Sequence, residues 1–313
     1  MGEDYGLVEP EEAETPGDEW KRIDVSDTEA DRIARRQDRE FGEFRERIKD
    51  ADQFKVKQSV FDDAAYAALY RLVQDGWIAA LGGAVSTGKE ASVYSALGGP
   101  AAAEELDEHA ALASEGEAAQ GPDVAVKIYR INASNFRDMQ DYLVGDPRFE
   151  ELGSDKKAIV LAWTKKEFAN LRRARQAGVR VPEPLAVERN VLVMEYLGTE
   201  AGRAKRLSEV HVENPGTAYE VVAEYMRRLY DAGLVHGDLS EYNVVVHEDE
   251  LYLLDLGQAV TVHHPNYRNF LERDCHNVAA FFRRQGLAVE DDDLLAFVTG
   301  DASGPFSDQV DGE

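Results

Sequence analysis

Two apolar runs, NVVVH and LYLLD, flank the three residues Glu248–Glu250, and this pattern predicts a β-hairpin. With the turn centred on Asp249, Asn243 and Asp255 would be cross-strand neighbours, with Cβ atoms about 5 Å apart. An amide oxygen and a carboxylate at one edge of a sheet suit a hard cation such as Mg²⁺. Asp238 lies shortly before Asn243, in the loop LVHGDLSEYN. A fold built on this hairpin therefore has to bring all three side chains to one place.

An Asp, an Asn five residues later and a further Asp on the returning strand form the pattern of a phosphotransferase loop. In that pattern Asp238 orients or deprotonates the attacking hydroxyl, while Asn243 and Asp255 hold the metal on the phosphates. The alternative is an ordinary turn, in which Asp238 and Asn243 cap backbone groups.

Short strand-like runs precede this loop, and they read WIAALG, SVYSAL and DVAVKIYRI. Lys127 lies in the third run, where a lysine among apolar residues is either an edge charge or a phosphate ligand. A kinase-like fold would pair Lys127 with Glu167, in a helix predicted over about 164–176. A competing interpretation is that Thr164-x-x-Glu167 forms a capping box, which would tie Glu167 to the start of its own helix. We favour the ion pair.

The segment STGKEASVY occupies the place of a protein kinase's glycine-rich loop. Aligned in this way, only Gly88 keeps its glycine, and Val93 takes the position of the valine. The same region, Gly83-AVST-Gly88-Lys89, nearly matches a Walker A loop. We reject that alternative because Glu90 stands where a Ser or Thr is needed, and because SVYSAL reads as a strand where a helix is required.

The chain is strongly acidic, with 35 Lys+Arg against 61 Asp+Glu and a formal net charge of −26. Nonspecific nucleic-acid binding depends on neutralising phosphates, so it is disfavoured, and we find no direct nucleic-acid motif. Cys275 is the single cysteine, which excludes an internal disulfide. Without a signal-peptide pattern or an apolar run of about 18 residues, we expect a cytoplasmic protein with no membrane contact. The acid excess favours a cytoplasm at molar salt, and the alternative is an ordinary acidic protein with charged tails.

Composition shifts predict an acidic, partly disordered and partly helical extension over residues 1–54 and an acidic tail over 301–313. Between them, strands with one helix come first and helices around a short hairpin follow, which predicts two lobes of one α+β domain. A low-complexity acidic insert at 98–122 is expected to be mobile. We place the small, β-rich N-lobe at about 55–195 and the mostly helical, truncated C-lobe at about 196–300.

Taken together, these motifs resemble the RIO family of atypical serine/threonine protein kinases, and specifically its type-one branch, in a form suited to a halophilic archaeon. The segments that carry the resemblance are STGKEA-x-VY, VAVKIYR, MEYLG, LVHGDLSEYN, LLDLGQAV and FLERDCHNVAAFF, in the family's order. The resemblance covers about residues 55–300 and implies a two-lobed protein-kinase-like fold. Because HGDL…N is also found in aminoglycoside- and choline-kinase-like enzymes, a small-molecule phosphotransferase is the alternative.

The resemblance implies a role for each matching position. Asp238 would be the catalytic aspartate, Asn243 and Asp255 the metal ligands, and Lys127 the phosphate-binding lysine paired with Glu167. The remaining positions implied to bind the nucleotide are Thr87, Gly88, Lys89, Ser92 and Val93 around the triphosphate, Met194 behind the adenine, and the backbone of Glu195 and Leu197 against the base. Arg273 and Asp274 would support the catalytic loop, or alternatively form a surface charge pair.

The family further implies an ATP-dependent protein kinase and ATPase that uses Mg²⁺, with Mn²⁺ as an alternative. It implies that Asp255 accepts the phosphoryl group as a phospho-aspartate, and that the final acceptor is a protein Ser or Thr, or the chain itself. The expected partner is the maturing small ribosomal subunit. The short stretch after Asp255 leads us to expect no peptide-docking groove, which favours an ATP-driven switch. A non-catalytic nucleotide-sensing scaffold is the third hypothesis.

Overall fold

The computed structural model describes residues 63–106, 121–131, 136–149, 155–199 and 201–306. The predicted extension over 1–54 and the part of the predicted tail beyond residue 306 lie outside the described residues. The domain boundaries therefore stay predictions. The described elements do show the predicted mixture of helices and antiparallel sheets.

An antiparallel five-stranded sheet, in the order β1-β2-β3-β5-β4, forms the N-lobe. Its strands are β1 Ile78–Thr87, β2 Ala91–Gly98, β3 Asp123–Tyr129, β4 Pro184–Glu188 and β5 Val191–Glu195. The three strand-like runs of the sequence become β1, β2 and β3. Lys127 lies on the central strand β3, opposite Val93 of β2 and Leu192 of β5. Lys127 therefore lies on an interior strand of the sheet and not at an edge, and the pairing with β2 and β5 fixes the position of its backbone.

Helix α1, Asp63–Gln74, packs against this sheet. Its apolar residues recur at helical spacing, so that Ala65, Leu69 and Leu72 enter the N-lobe core. The chain then turns at Gly76, which has a φ of 80°. A left-handed conformation of this kind favours glycine after a helix.

The segment predicted as a mobile insert begins as an ordered helix. Helix α2 spans Pro100–Leu106, and Ala102 is fully buried in the core that β1, β2 and β3 share. The prediction of a surface insert from residue 98 was therefore wrong for this part. Low complexity misled it, because small alanines after a proline at the helix start suit a helix that approaches a sheet closely. Residues 107–120 lie outside the described residues.

The helix that carries Glu167 starts earlier than predicted. Helix α4 spans Lys156–Gln176, and the Asp155 side chain caps it by accepting from the Ala158 amide at 3.0 Å. Thr164 is in the helix interior, where its hydroxyl donates to the Val160 carbonyl at 2.8 Å. The alternative capping box at Thr164 is therefore not formed, and Glu167 is not held at a helix start. The short helix α3, Phe136–Asp141, precedes α4.

The C-lobe is mostly helical, as predicted. Its helices are α5 Pro215–Asp231, α6 Tyr267–Arg284 and α7 Asp291–Val298, and its strands are β6 Gly198–Thr199, β7 Gly202–Arg203, β8 Lys205–Arg206, β9 Leu234–Val235, β10 Val244–His247, β11 Glu250–Leu253 and β12 Val260–Thr261. Buried residues of α5, α6 and α7, among them Tyr219, Phe282 and Leu294, form one core with the hairpin of β10 and β11. Within the described residues, no helix has the length and apolar character needed to cross a membrane.

The buried position of Ala102 generates a test of the ordered insert. Ala102→Asp is expected to lower the free energy of unfolding by about 2–4 kcal/mol, because it places an unpaired carboxyl in the N-lobe core. The neighbouring, half-buried Ala103 provides a control, since Ala103→Asp is expected to cost less than about 1 kcal/mol. Denaturant unfolding measures both; equal costs would contradict the docked helix.

Candidate active site

The hairpin that carries the metal-binding pattern has a tighter turn than predicted. His247 lies opposite Glu250, so only Glu248 and Asp249 form the turn. Both have positive φ, 51° and 64°. A two-residue turn with positive φ at both positions matches the right-handed twist of the flanking strands, which is why hairpins favour it.

This turn moves the cross-strand register by one residue. The Asn243 carbonyl accepts from the Leu254 amide at 2.8 Å, so Leu254, and not Asp255, lies opposite Asn243. The predicted pairing of Asn243 with Asp255 was therefore wrong, because it assumed a three-residue turn. Asp255 follows the end of β11 in the left-handed conformation, with a φ of 60°. Asn243 and Asp255 still line the same cavity.

Lys127 lies between two carboxylates. Its Nζ is 2.7 Å from Glu167 Oε1 and 2.9 Å from Asp255 Oδ1. The side chains of Lys127 and Glu167 are buried, whereas that of Asp255 is 52% exposed. The Tyr129 hydroxyl donates to the second Glu167 oxygen and so completes the surroundings of this carboxylate. Strand β3, helix α4 and the end of β11 thus meet at one ammonium group.

The charges of this cluster depend on one another. Burial alone would lower the pKa of Lys127, but Asp255 and Glu167 outweigh burial and raise this pKa well above its ordinary value. Crowding by protein atoms works against ionisation of Asp255, yet the ammonium of Lys127 holds the pKa of Asp255 below its ordinary value. Asp255 is therefore a carboxylate at neutral pH, the form needed to bind a cation.

The loop that carries Asp238 is held against Asn243. The Asn243 Nδ2 donates to the Asp238 carbonyl at 2.8 Å and lies 3.4 Å from its Oδ2. Because the nitrogen of the amide is engaged in this way, the Asn243 oxygen is the atom presented to a cation. Burial raises the pKa of Asp238. A partly desolvated carboxylate of this kind is a better proton acceptor than one in water.

Arg273 and Asp274 support this loop from helix α6. Asp274 is buried and accepts from the amides of Gly237, at 2.7 Å, and Leu239, at 2.8 Å, while Arg273 donates to the Gly237 carbonyl. The alternative of a surface charge pair is thus excluded. Gly237 has a φ of 77°, a conformation that disfavours other residues at the turn before Asp238.

The cavity beside Lys127 measures about 170 Å³ and contains most of the predicted nucleotide-binding positions. Those that line it are Val93, Lys127, Glu167, Met194, Glu195, Leu197, Asn243 and Asp255. The predicted positions outside the lining are Thr87, Gly88, Lys89, Ser92 and Asp238. Of these, Ser92 is fully buried and accepts from Arg130, at 3.3 Å, whereas Lys89 is exposed on the turn after β1.

Some lining residues were missed by the sequence analysis. Arg206 lines the cavity from β8, a strand too short to show any periodicity, and Tyr242, 56% exposed, lines it from the catalytic loop. The position of Tyr242 directly before Asn243 was the only signal that could have indicated it. At the adenine side, the Leu197 carbonyl accepts from the Ala204 amide at 2.8 Å. The contact of the Leu197 backbone with a base stays a prediction.

A larger cavity of about 710 Å³ lies elsewhere, between helix α3 and the start of α6. Its lining includes Tyr142, Trp163 and Phe270 and none of the predicted site residues. We assign the chemistry to the smaller cavity, because the paired charges and the catalytic loop converge there.

The residues at this site fit Mg²⁺. Among the described residues, no group of three His, Cys, Asp or Glu side chains could hold a metal. Mg²⁺ needs no such group, since it keeps several waters and binds one or two carboxylates together with substrate phosphates. Asp255 and the Asn243 oxygen would supply donors of this kind.

Comparison with known proteins identifies the family. A family profile described as "RIO domain" matches residues 109–294. The chain belongs to the RIO family. It is 65% identical to the RIO-type serine/threonine-protein kinase Rio1 of Haloferax volcanii, over 96% of this chain and 97% of that protein.

More distant RIO proteins also match. The identity is 33% with Rio1 of Methanocaldococcus jannaschii, over 83% of this chain and 82% of that protein. It is 37% with RIO1 of Saccharomyces cerevisiae, over 77% of this chain; the chain spans only 52% of the yeast protein. The Rio2 kinase–ADP/Mg²⁺–phosphoaspartate complex from Chaetomium thermophilum has a TM-score of 0.52 at 21% identity, over 77% of this chain and 68% of that one. The two-lobed kinase-like fold is thereby confirmed.

The contact between Lys127 and Asp255 generates a pH prediction. Because the folded pKa of Asp255 is depressed, its ion pair adds stability above the ordinary aspartate pKa of about 3.9, and this stability is lost as the pH falls through the folded value. In Lys127→Met the ammonium is absent, and the pKa of Asp255 is expected to rise. Carboxyl ¹³C NMR measures the pKa of Asp255 in the wild-type protein and in Lys127→Met. The spectrum of Asp255→Asn assigns the signal. An unchanged Asp255 titration in Lys127→Met would show that the ion pair does not set this pKa.

Proposed function

We propose that the protein is an ATP- and Mg²⁺-dependent RIO-type serine/threonine protein kinase and ATPase that acts in the cytoplasm. The observation that carries the proposal is the convergence of Lys127, Glu167 and Asp255 beside the loop that holds Asp238 and Asn243. This set contains a phosphate-binding cation, a candidate base and two metal-binding groups. The family of the chain and the names of its relatives support the same activity.

Each residue of the site has a role in this proposal. Lys127, oriented by Glu167, binds the phosphates of ATP, and Asn243 and Asp255 hold Mg²⁺. When bound, Mg²⁺ neutralises charge on the phosphate oxygens. Asp238 orients the attacking hydroxyl and accepts its proton, as its raised pKa favours. The turn of Thr87, Gly88 and Lys89, with Ser92 and Val93, covers the triphosphate, while Met194 and the backbone of Glu195 and Leu197 contact the base.

We further propose that Asp255 forms a phospho-aspartate. An Asp255 oxygen bonds to the γ-phosphorus as the bond to the β-γ bridging oxygen breaks and ADP leaves; water then hydrolyses the acyl phosphate. Two features support this step. Asp255 is ionised and 52% exposed, so it can reach a substrate. The structural neighbour from Chaetomium thermophilum is described as a phosphoaspartate complex.

The physiological partners are part of the same proposal. The maturing small ribosomal subunit is the expected particle, and the acceptor is a protein Ser or Thr or the chain itself. The names of the relatives support a protein substrate. Mn²⁺ is the alternative to Mg²⁺ in this proposal, because both take oxygen ligands.

The first experiment follows the label from γ-³²P-ATP with Mg²⁺ in molar KCl. Label on the protein that hydroxylamine removes is expected, because an acyl phosphate is labile to this reagent. Asp255→Asn should abolish that label, while Glu248→Gln, in the exposed hairpin turn, should leave it unchanged. Acid-stable label that resists hydroxylamine in both proteins would contradict the phospho-aspartate and favour direct transfer to Ser or Thr.

A second experiment tests Asp238. Asp238→Ala is expected to lower ATP turnover by about 10²–10⁴-fold, the usual contribution of a general base, while ATP affinity changes little. Phosphate release and equilibrium nucleotide binding measure the two quantities. Undiminished turnover in Asp238→Ala would exclude the assigned role. Strong stimulation of the wild-type protein by an aminoglycoside or choline would instead favour a small-molecule kinase.

A further inference from the structure

One face of helix α4 holds the backbone of residues 255–259, which we call the metal-binding segment. The Lys166 Nζ donates to the Gly257 carbonyl at 2.9 Å. The Asn170 Nδ2 donates to the carbonyls of Leu256, at 3.0 Å, and Ala259, at 3.2 Å. Lys166 and Asn170 are one helical turn apart, so they contact the segment side by side. Neither residue has a role in the site described above.

Both side chains are fully buried, and this burial is costly for Lys166. Burial, with a contribution from Arg148, lowers the pKa of Lys166 to about 7. Its amine lies 4.9 Å from the centre of the Trp163 ring. An apolar residue would fill the same space without this cost. The hydrogen bond to Gly257 is the gain that a methionine at this position could not supply.

The orientation of Asn170 is set by a second buried pair. Its Oδ1 accepts from Arg148 at 2.9 Å, and Arg148 pairs with Asp146 at 2.7 Å. Because the Asn170 oxygen is directed to Arg148, the amide nitrogen faces the metal-binding segment. The bond to Arg148 thus fixes the orientation of the Asn170 amide group, and this orientation allows both donated hydrogen bonds.

The segment lies directly against α4. A Cβ atom on Gly257 would be 2.9 Å from Trp163 Nε1 and 3.1 Å from the Tyr129 hydroxyl. Only glycine allows this approach, which brings the Gly257 carbonyl within reach of Lys166. Two residues earlier, Asp255 adopts a left-handed conformation that costs free energy for a residue with a side chain. Such a conformation persists where surrounding contacts hold it.

We propose that Lys166 and Asn170 are positioning residues, which fix the metal-binding segment to α4 and thereby keep the Asp255 carboxylate beside Lys127. The inference rests on the proposed function, because it explains how Asp255 is placed for its role there. Glu167 lies between the two positioning residues on the same helix. A single helix therefore sets the positions of Lys127 and Asp255 together.

Amide hydrogen exchange of the metal-free full-length protein tests the inference without any turnover. Lys166→Met keeps the length of the side chain and removes its donor. Asn170→Asp keeps the shape and the acceptor for Arg148 and removes both donated bonds. Each variant is expected to exchange the amides of residues 254–260 about tenfold faster, the change expected when a hydrogen bond is lost from a local opening equilibrium.

Thr164→Val is the matched control. Thr164 is equally buried on the same helix, but its hydroxyl bonds only within the helix, to Val160. Exchange of residues 254–260 should be unchanged in this variant. Comparable acceleration in Thr164→Val would overturn the inference, because the effect would then report general loosening of α4. Unchanged exchange in Asn170→Asp would overturn it as well, and this variant decides the question should Lys166→Met fail to fold.

Kinetics then separate positioning from stability. Asn170→Asp is expected to lower kcat about tenfold and to raise the half-saturating Mg²⁺ concentration, while the KM for ATP changes less than threefold. Faster exchange with unaltered kcat and Mg²⁺ dependence would overturn the positioning role. If the wild-type protein turns over no ATP, the proposed function fails, and the exchange measurement still decides whether these two residues hold the segment.

Discussion

The buried ammonium of Lys127 is the interaction on which the site depends. Three elements that are distant in sequence, β3, α4 and the end of β11, each supply one member of its ion-pair cluster. Glu167 and Asp255 both favour the charged lysine, and the charged lysine in turn keeps Asp255 ionised. Removing any one charge is expected to change the pKa of the other two groups, so the cluster acts as a unit and not as a set of separate contacts.

The side chains around this cluster mainly hydrogen-bond to the backbone next to Asp238 and Asp255. Asp274 and Arg273 hold the loop on both sides of Asp238 through two amides and a carbonyl, and α4 holds the segment after Asp255 through three carbonyls. The buried side chains of Asp274, Lys166 and Asn170 therefore act on main-chain atoms at both ends of the site. In this arrangement the Asp255 side chain is exposed and that of Asp238 is half-buried, whereas Asp274, Lys166 and Asn170 are buried.

The family, the two-lobed fold and the ion pair of Lys127 with Glu167 could all be predicted from the sequence. The run DVAVKIYRI placed Lys127 on a strand correctly, because a run of β-branched and apolar residues predicts a strand. The start of α4 was missed because the run AIVLAW is apolar throughout and shows no helical periodicity. The bonds of Lys166 and Asn170 could not be predicted at all, since they reach backbone carbonyls 86 to 91 residues away, and a carbonyl has no signature in the sequence.

The hairpin turn has a consequence for how this fold tolerates change. Exposed turns are normally the places where a chain accepts insertions, because nothing packs against them. Glu248 and Asp249 are exposed and take no part in the chemistry, yet the length of their turn decides which residue lies opposite Asn243. One added residue that changed the register would shift the strand that leads to Asp255 and move this carboxylate relative to Asn243. An insertion at this exposed turn is therefore expected to be tolerated only where the pairing register of β10 and β11 is kept.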